Sequence, residues 1–139
     1  MSTRMLSDTG GPGLILIVMA LSLGALLLFF FVIVLLEGVV LRLVRWDNFK
    51  RSLWGSFLMN LVSTLVGFLV LYLIPRLGIL GLAIAWALSF AIETFILIRM
   101  KPDKPGLSWR AALAANTSSY LLLLLPAYLL AQEWQVSIL

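Results

Sequence analysis

Cysteine and histidine are both absent from the 139 residues. Without cysteine the chain has no disulfide, no thiolate metal site and no thiol nucleophile. Without histidine it lacks the commonest general base and the commonest transition-metal ligand. Charge is scarce as well: only 12% of residues are charged while 63% are hydrophobic. That leaves too little polar surface to cover a water-soluble domain of this length. Period-two alternation is missing from the apolar stretches, which excludes the strands of a membrane barrel and predicts an all-α fold.

What is present is a set of long apolar runs, covering about 14–41, 53–74, 79–98 and 111–131. Each is near or above the roughly 20 residues that a helix needs to cross a hydrocarbon core. The first run is too long for a cleaved signal peptide, follows Arg4 and Asp8, and ends without a small-x-small cleavage site. It therefore reads as a spanning helix. Residues 1–13, with the flexible Gly10-Gly11-Pro12-Gly13 lead, and 132–139 read as short extracytoplasmic tails around a single transmembrane domain.

Within this apolar sequence one polar pattern occurs twice. Glu37, Asn60 and Ser63 return at one constant offset as Glu93, Asn116 and Ser119. At the same offset Leu41 matches Leu97, Arg45 matches Lys101, Asp47 matches Asp103 and Ser52 matches Ser108. The pattern predicts two tandem helical hairpins, repeat 1 over about 14–74 and repeat 2 over about 79–131. They are expected to form a four-helix bundle with a parallel pseudo-two-fold axis along the membrane normal. In each hairpin the Glu and the Asn are equally far from the turn, so they should lie at one depth and meet.

Small residues mark the faces along which the helices should approach. The stripes are Ser56, Asn60, Ser63 and Gly67 on the second helix, Gly81, Ala85, Ser89 and Glu93 on the third, and Ala112, Asn116 and Ser119 on the fourth. Gly67, Gly81, Ala85 and Ser89 are the expected packing positions. Pro126 should bend the fourth helix by freeing the carbonyl of Leu122.

Cations set an expected orientation. Arg42, Arg45, Lys50 and Arg51 follow the first run, and Arg99, Lys101, Lys104 and Arg110 follow the third, against Arg4 and Arg76 on the other side. The positive-inside rule then puts both basic loops in the cytoplasm, with the two termini and the Pro75-Arg76-Leu77-Gly78 turn outside a cytoplasmic (inner) membrane. Those eight cations are expected to contact anionic lipid headgroups rather than nucleic acid. Trp46, Phe49, Trp54 and Trp109 should form one interfacial belt, and Tyr72, Tyr128 and Trp134 the other. Trp86 falls outside both; its indole N–H needs a partner, and it reads as a packed hydrophobe facing lipid or another subunit.

The stretch Ile74 to Leu88, IPRLGILGLAIAWAL, resembles a helix-turn-helix stretch of polysaccharide flippases of the MATE-like superfamily. The likeness covers about a tenth of the chain and carries no functional residue. From the residues themselves, two readings of the Glu and Asn layer stay open. In one it is a hydrogen-bonded clip within each hairpin, and the protein is a structural or accessory subunit of a larger membrane complex or a homo-oligomer. In the other, both glutamates meet and serve a proton- or cation-linked transporter or channel. No nucleophile constellation, metal cluster or phosphate loop accompanies the carboxylates, so neither an enzyme nor a cofactor is expected.

Overall fold

The computed structural model describes the backbone of residues 11–70 and 77–136 and the side chains of 22–68 and 77–130. Arg4, Asp8, Tyr72, Pro75, Arg76 and the last three residues lie outside the described residues, as do the side chains of Glu133 and Trp134. Every described element is helical: α1 Gly11–Leu43, α2 Phe49–Val70, α3 Ile79–Met100, α4 Pro105–Ser119, then a π-turn over Tyr120–Leu124 and α5 Leu125–Val136. The segments Ser22–Leu43, Ile79–Met100 and Pro105–Leu130 are each long and apolar enough to cross a membrane. The described part of α2 is less apolar because it carries Lys50, Arg51 and Asn60; the apolar sequence at 71–74 lies outside the described residues.

Helices extend past the apolar stretches at the loops. Hydropathy marks what lipid can cover, whereas helix ends are set by capping. The Asn48 side chain accepts the Arg51 N–H at 3.0 Å, so α2 starts at Phe49 rather than Leu53. Pro105 stands in the first turn of α4, where its missing N–H has no helical partner to lose. Gly78, at φ +54°, precedes α3 in a conformation that a side chain would disfavour.

Two compact units divide the chain at Val32 and Ile33. The first contains the earlier part of α1, where Leu23, Leu26, Leu28 and Phe31 are exposed. The second holds all the remaining elements, with α3 packed against both α2 and α4. Its core is Leu41, Trp46, Met59, Leu97, Ala111, Ala112 and Ala115.

Trp46 is fully buried, not part of an interfacial belt. The reason is the way α1 ends. Trp46 N–H bonds to Leu41 C=O and Arg45 N–H to Arg42 C=O, both at 3.0 Å, with Arg45 in the left-handed region at φ 59°. This is a Schellman turn, which folds the residue after the turn back onto the last helical turn. The indole N–H then donates to Ser108 Oγ at 3.0 Å, and Ser108 donates to Leu97 C=O at 3.2 Å. Lys101, expected at the headgroups, instead donates to the Trp46 carbonyl, pairs with Asp47 at 3.2 Å and lies 5.7 Å from the indole ring centroid. Arg51, its side chain half exposed, donates to Met100 C=O at 2.9 Å and reaches Asp47 at 3.4 Å.

These contacts give Asp47 a pH signature. The Asn48 N–H on Oδ1 pulls its carboxyl below the ordinary value; partial burial opposes this, and Lys101 and Arg51 add to the lowering. A carboxyl whose pKa is lower folded than unfolded stabilises fully above the unfolded value and loses that contribution as pH falls through the folded one. Melting of wild type and of Asp47→Asn in detergent should therefore differ most at neutral pH and converge below about pH 4. A constant difference from neutral to acid would refute the role of the charge.

Two glycines outside the stripes stand in close contact with neighbouring residues. A Cβ at Gly38 would lie 3.2 Å from Leu53 Cα, and one at Gly55 3.2 Å from the Trp46 ring. At Gly67 a Cβ would meet nothing within 4 Å, so this position is not a tight packing contact. Trp86 stacks on Phe90 at 5.8 Å, which meets Trp109 edge-on at 6.0 Å.

Candidate functional site

The repeated polar residues come together in the interior of the second unit. Glu37 on α1 and Glu93 on α3 are each 1% exposed, and Asn116 and Ser119 on α4 are equally buried. Asn60 Nδ2 donates to Glu37 Oε2 at 2.5 Å, and Asn116 Nδ2 donates to Glu93 Oε2 at 2.9 Å. Both bonds span 23 residues of sequence, the spacing that equal depth in a hairpin requires.

Each remaining carboxyl oxygen is taken by a serine. Ser119 Oγ donates to Glu37 Oε1 at 2.5 Å, and Ser89 Oγ donates to Glu93 Oε1 at 2.7 Å from one turn earlier on the same helix. The Ser119 bond joins the last span to the first, a link that no spacing within one hairpin reveals. Asn60 uses its second hydrogen on the Ser56 carbonyl at 2.9 Å, while Ser56 Oγ donates to Val34 C=O at 2.9 Å. Ser63 bonds back to Asn60 C=O at 3.3 Å. The ring-like acid–amide pair that a protonated Glu and an Asn could form is not made, because serines hold the oxygens it would need. Asn116 Oδ1 and Thr94 Oγ1 are buried without a hydrogen-bond partner among the described residues.

A cavity of about 220 Å³ adjoins this layer. Its wall includes both glutamates, Asn60, Ser63, Ser89, Ser119 and Tyr120, together with Gly67, Ala85 and the apolar side chains of Ile33, Phe68, Leu88 and Leu124. The expected packing positions thus divide: Gly81 is buried, whereas Gly67, Ala85 and Ser89 face the cavity. No Lys or Arg among the described residues is on the wall. Among the described residues no three His, Cys, Asp or Glu side chains gather in a way that could hold a metal ion. The arrangement can hold protons and hydrogen-bonded polar atoms among buried side chains.

Of the expected headgroup cations, Lys101 and Arg51 are engaged in the corner described above. Arg42, Arg45, Lys50, Arg99, Lys104 and Arg110 are solvent-exposed, Arg99 lying 5.2 Å from the Phe95 ring centroid. Sequence reasoning missed Trp46, Ser108 and the cross-link from Ser119. The missed signal for Trp46 was a left-handed turn built without glycine. No protein-family model matches the chain, and neither a curated protein nor a solved structure matches it.

Proposed function

We propose that the chain is a small integral membrane protein that packs laterally, as a structural or accessory subunit, against a larger membrane complex or further copies of itself. One observation carries this reading: all four carboxyl oxygens of the buried glutamates are bonded to side chains of the same chain. A polar layer whose carboxyl oxygens are all bonded locks helices together where lipid offers no hydrophobic drive. Large apolar side chains such as Leu65, Phe68, Phe95 and Leu122 are left on the outside, as a lipid or protein contact surface requires.

The architecture that goes with it is two tandem hairpins forming a four-helix bundle with four membrane spans. Support comes from matched positions in matched settings: the Glu and Asn pairs, Leu41 with Leu97, and Ser52 with Ser108 are buried in both copies. The copies differ at the loops, where Trp46 corresponds to Pro102 and only the first makes the buried turn. The proposed orientation puts both cation-rich loops in the cytoplasm and both termini outside. Since the natural chain has no cysteine, Asn48→Cys and Asp103→Cys should resist an impermeant thiol reagent in intact cells, and Ser137→Cys should react. Labelling of Asn48→Cys from outside would invert the assignment.

Purification of the tagged protein in a gentle detergent, with mass determination, tests the assembly. Recovery in fixed ratio with a larger membrane protein, or as a defined homo-oligomer, supports the reading; a monodisperse monomer argues against it. The cavity beside two carboxylates favours a second reading, a proton- or cation-linked carrier. Under it, liposomes containing the protein should show pH-dependent ion flux that Glu37→Gln or Glu93→Gln abolishes.

A further inference from the structure

The cavity beside the carboxylates has two unlike ends, and the direction of each helix shows how they are arranged. α1 and α3 run toward the cation-rich loops that follow them, whereas α2 and α4 run away from those loops. On the wall, Glu37, Asn60, Glu93 and Ser119 stand at the end nearer the loops. The apolar wall residues all lie farther from them: Ile33 precedes Glu37, Ala85 and Leu88 precede Glu93, Gly67 and Phe68 follow Asn60, and Leu124 follows Ser119. At 1.5 Å per residue, Gly67 and Ala85 place this apolar end about 10 Å beyond the carboxylates. A Cβ at Gly67 would meet nothing within 4 Å, so that end has room for further atoms. The volume of about 220 Å³ lies a little below the roughly 300–1,000 Å³ of pockets for drug-sized ligands and suits a smaller molecule.

Charge narrows the class of that molecule. The ionisable side chains on the wall are Glu37 from α1, Glu93 from α3 and Tyr120 from the π-turn, while α2 contributes Asn60, Ser63 and Thr64, none of which ionises. Each glutamate oxygen accepts from a side chain, but an ionised carboxylate offers about four acceptor sites, so both retain capacity for a further N–H. An anion would be repelled there. A neutral molecule would leave buried carboxylate charge uncompensated, and a hydrated metal ion would have to shed water against the apolar end. A cation with an apolar body matches both ends. Protons also neutralise the layer, so such a cation competes with them.

We propose that the cavity is a binding site for a small amphiphilic monocation, an alkyl- or arylalkylammonium whose head donates to Glu37 and Glu93 and whose apolar body lies against Gly67, Phe68 and Ala85. The site is independent of lateral assembly. It deepens the carrier reading by naming a substrate class, yet binding without flux would keep the site and reject the carrier.

The test is equilibrium dialysis of the full chain in phosphatidylcholine nanodiscs against three probes that share a benzene ring and differ in charge: 2-phenylethylammonium, 2-phenylethanol and 3-phenylpropionate. Empty nanodiscs subtract partition into lipid. The buffer is held at about pH 8, where protons compete less and the ammonium keeps its charge. The expected result is saturable binding of one ammonium per chain, with the alcohol and the carboxylate at least about tenfold weaker. Glu37→Gln and Glu93→Gln should each weaken the ammonium by about tenfold or more. Gly67→Leu and, separately, Ala85→Leu fill the apolar end without touching a carboxylate and should also weaken it, whereas Leu121→Ala, outside the cavity, should not. Helical circular dichroism confirms that each variant is folded. Absence of saturable binding above empty nanodiscs overturns the site. So does equal binding of the alcohol, unchanged binding in both glutamine variants, or unchanged binding in both cavity-filling variants.

Discussion

Replacing Trp46 by alanine is expected to destabilise the folded chain by about 3–5 kcal/mol, the range for removing a large buried aromatic. The indole is fully buried in the core with Leu41 and Leu97, and its N–H reaches across 62 residues of sequence to Ser108. Alanine would leave a void under Gly55, whose backbone approaches the ring closely, and would remove the surface over which the Lys101 ammonium rests. Trp46→Phe is the milder change. It keeps a six-membered ring in the pocket but loses the N–H and part of the bicyclic ring, while Ser108 still donates to Leu97 C=O, so the loss should exceed the about 0.5–1.5 kcal/mol of the hydrogen bond alone and stay below that of alanine. Unfolding in mixed micelles with increasing denaturing detergent, followed by circular dichroism, measures both. An alanine variant within about 1 kcal/mol of wild type would show that the corner contributes little.

Asn116→Leu and Asn60→Leu carry the second large effect. Each removes the amide N–H that reaches one glutamate oxygen, and a buried acceptor that loses its donor costs roughly 1–3 kcal/mol and more where the group is charged. Asn116 is completely buried and Asn60 is 6% exposed, so the leucine that replaces Asn116 has less room to reorient. The Asn116 variant should therefore be the less stable of the two. The double variant should lose less than the sum, because both residues feed one network through Ser119 and its neighbours. Melting temperatures in detergent for the single and double variants give the comparison, and wild-type melting in both single variants would mean that the polar layer does not stabilise the fold.

How much of this was legible in the sequence depended on whether the signal was local. The Glu37 to Asn60 and Glu93 to Asn116 bonds could be anticipated because distance from a turn fixes depth in a helical hairpin, and depth needs no knowledge of how two hairpins meet. The Ser119 to Glu37 bond could not be, since it depends on the rotation of α4 relative to α1. Trp46 was misread for a related reason. Its neighbours in sequence are a membrane-boundary set of cations, but a Schellman turn closed by Arg45 in a left-handed conformation reverses the direction in which it points, and arginine gives no warning of such a turn. Small-residue stripes located the polar interior correctly, yet they did not separate a glycine that lets helices touch, such as Gly38, from one that borders empty space, such as Gly67. Both look alike in a pattern of small residues at intervals of three and four.

The π-turn at Tyr120–Leu124 alters what the last span can tolerate. Leu125 N–H bonds to Tyr120 C=O, five residues back instead of four, so the wide turn takes up one extra residue just before Pro126. Residues on either side of it are out of phase by about 100°, the angular step of one residue at 3.6 per turn. A side chain beyond the turn consequently faces a different direction from the one that continuing the Asn116 and Ser119 stripe would give. The slip uncouples the two halves: the inner half keeps its register with Glu37 and Glu93, and the outer half can change sequence, even to proline, without transmitting a rotation to the carboxylates.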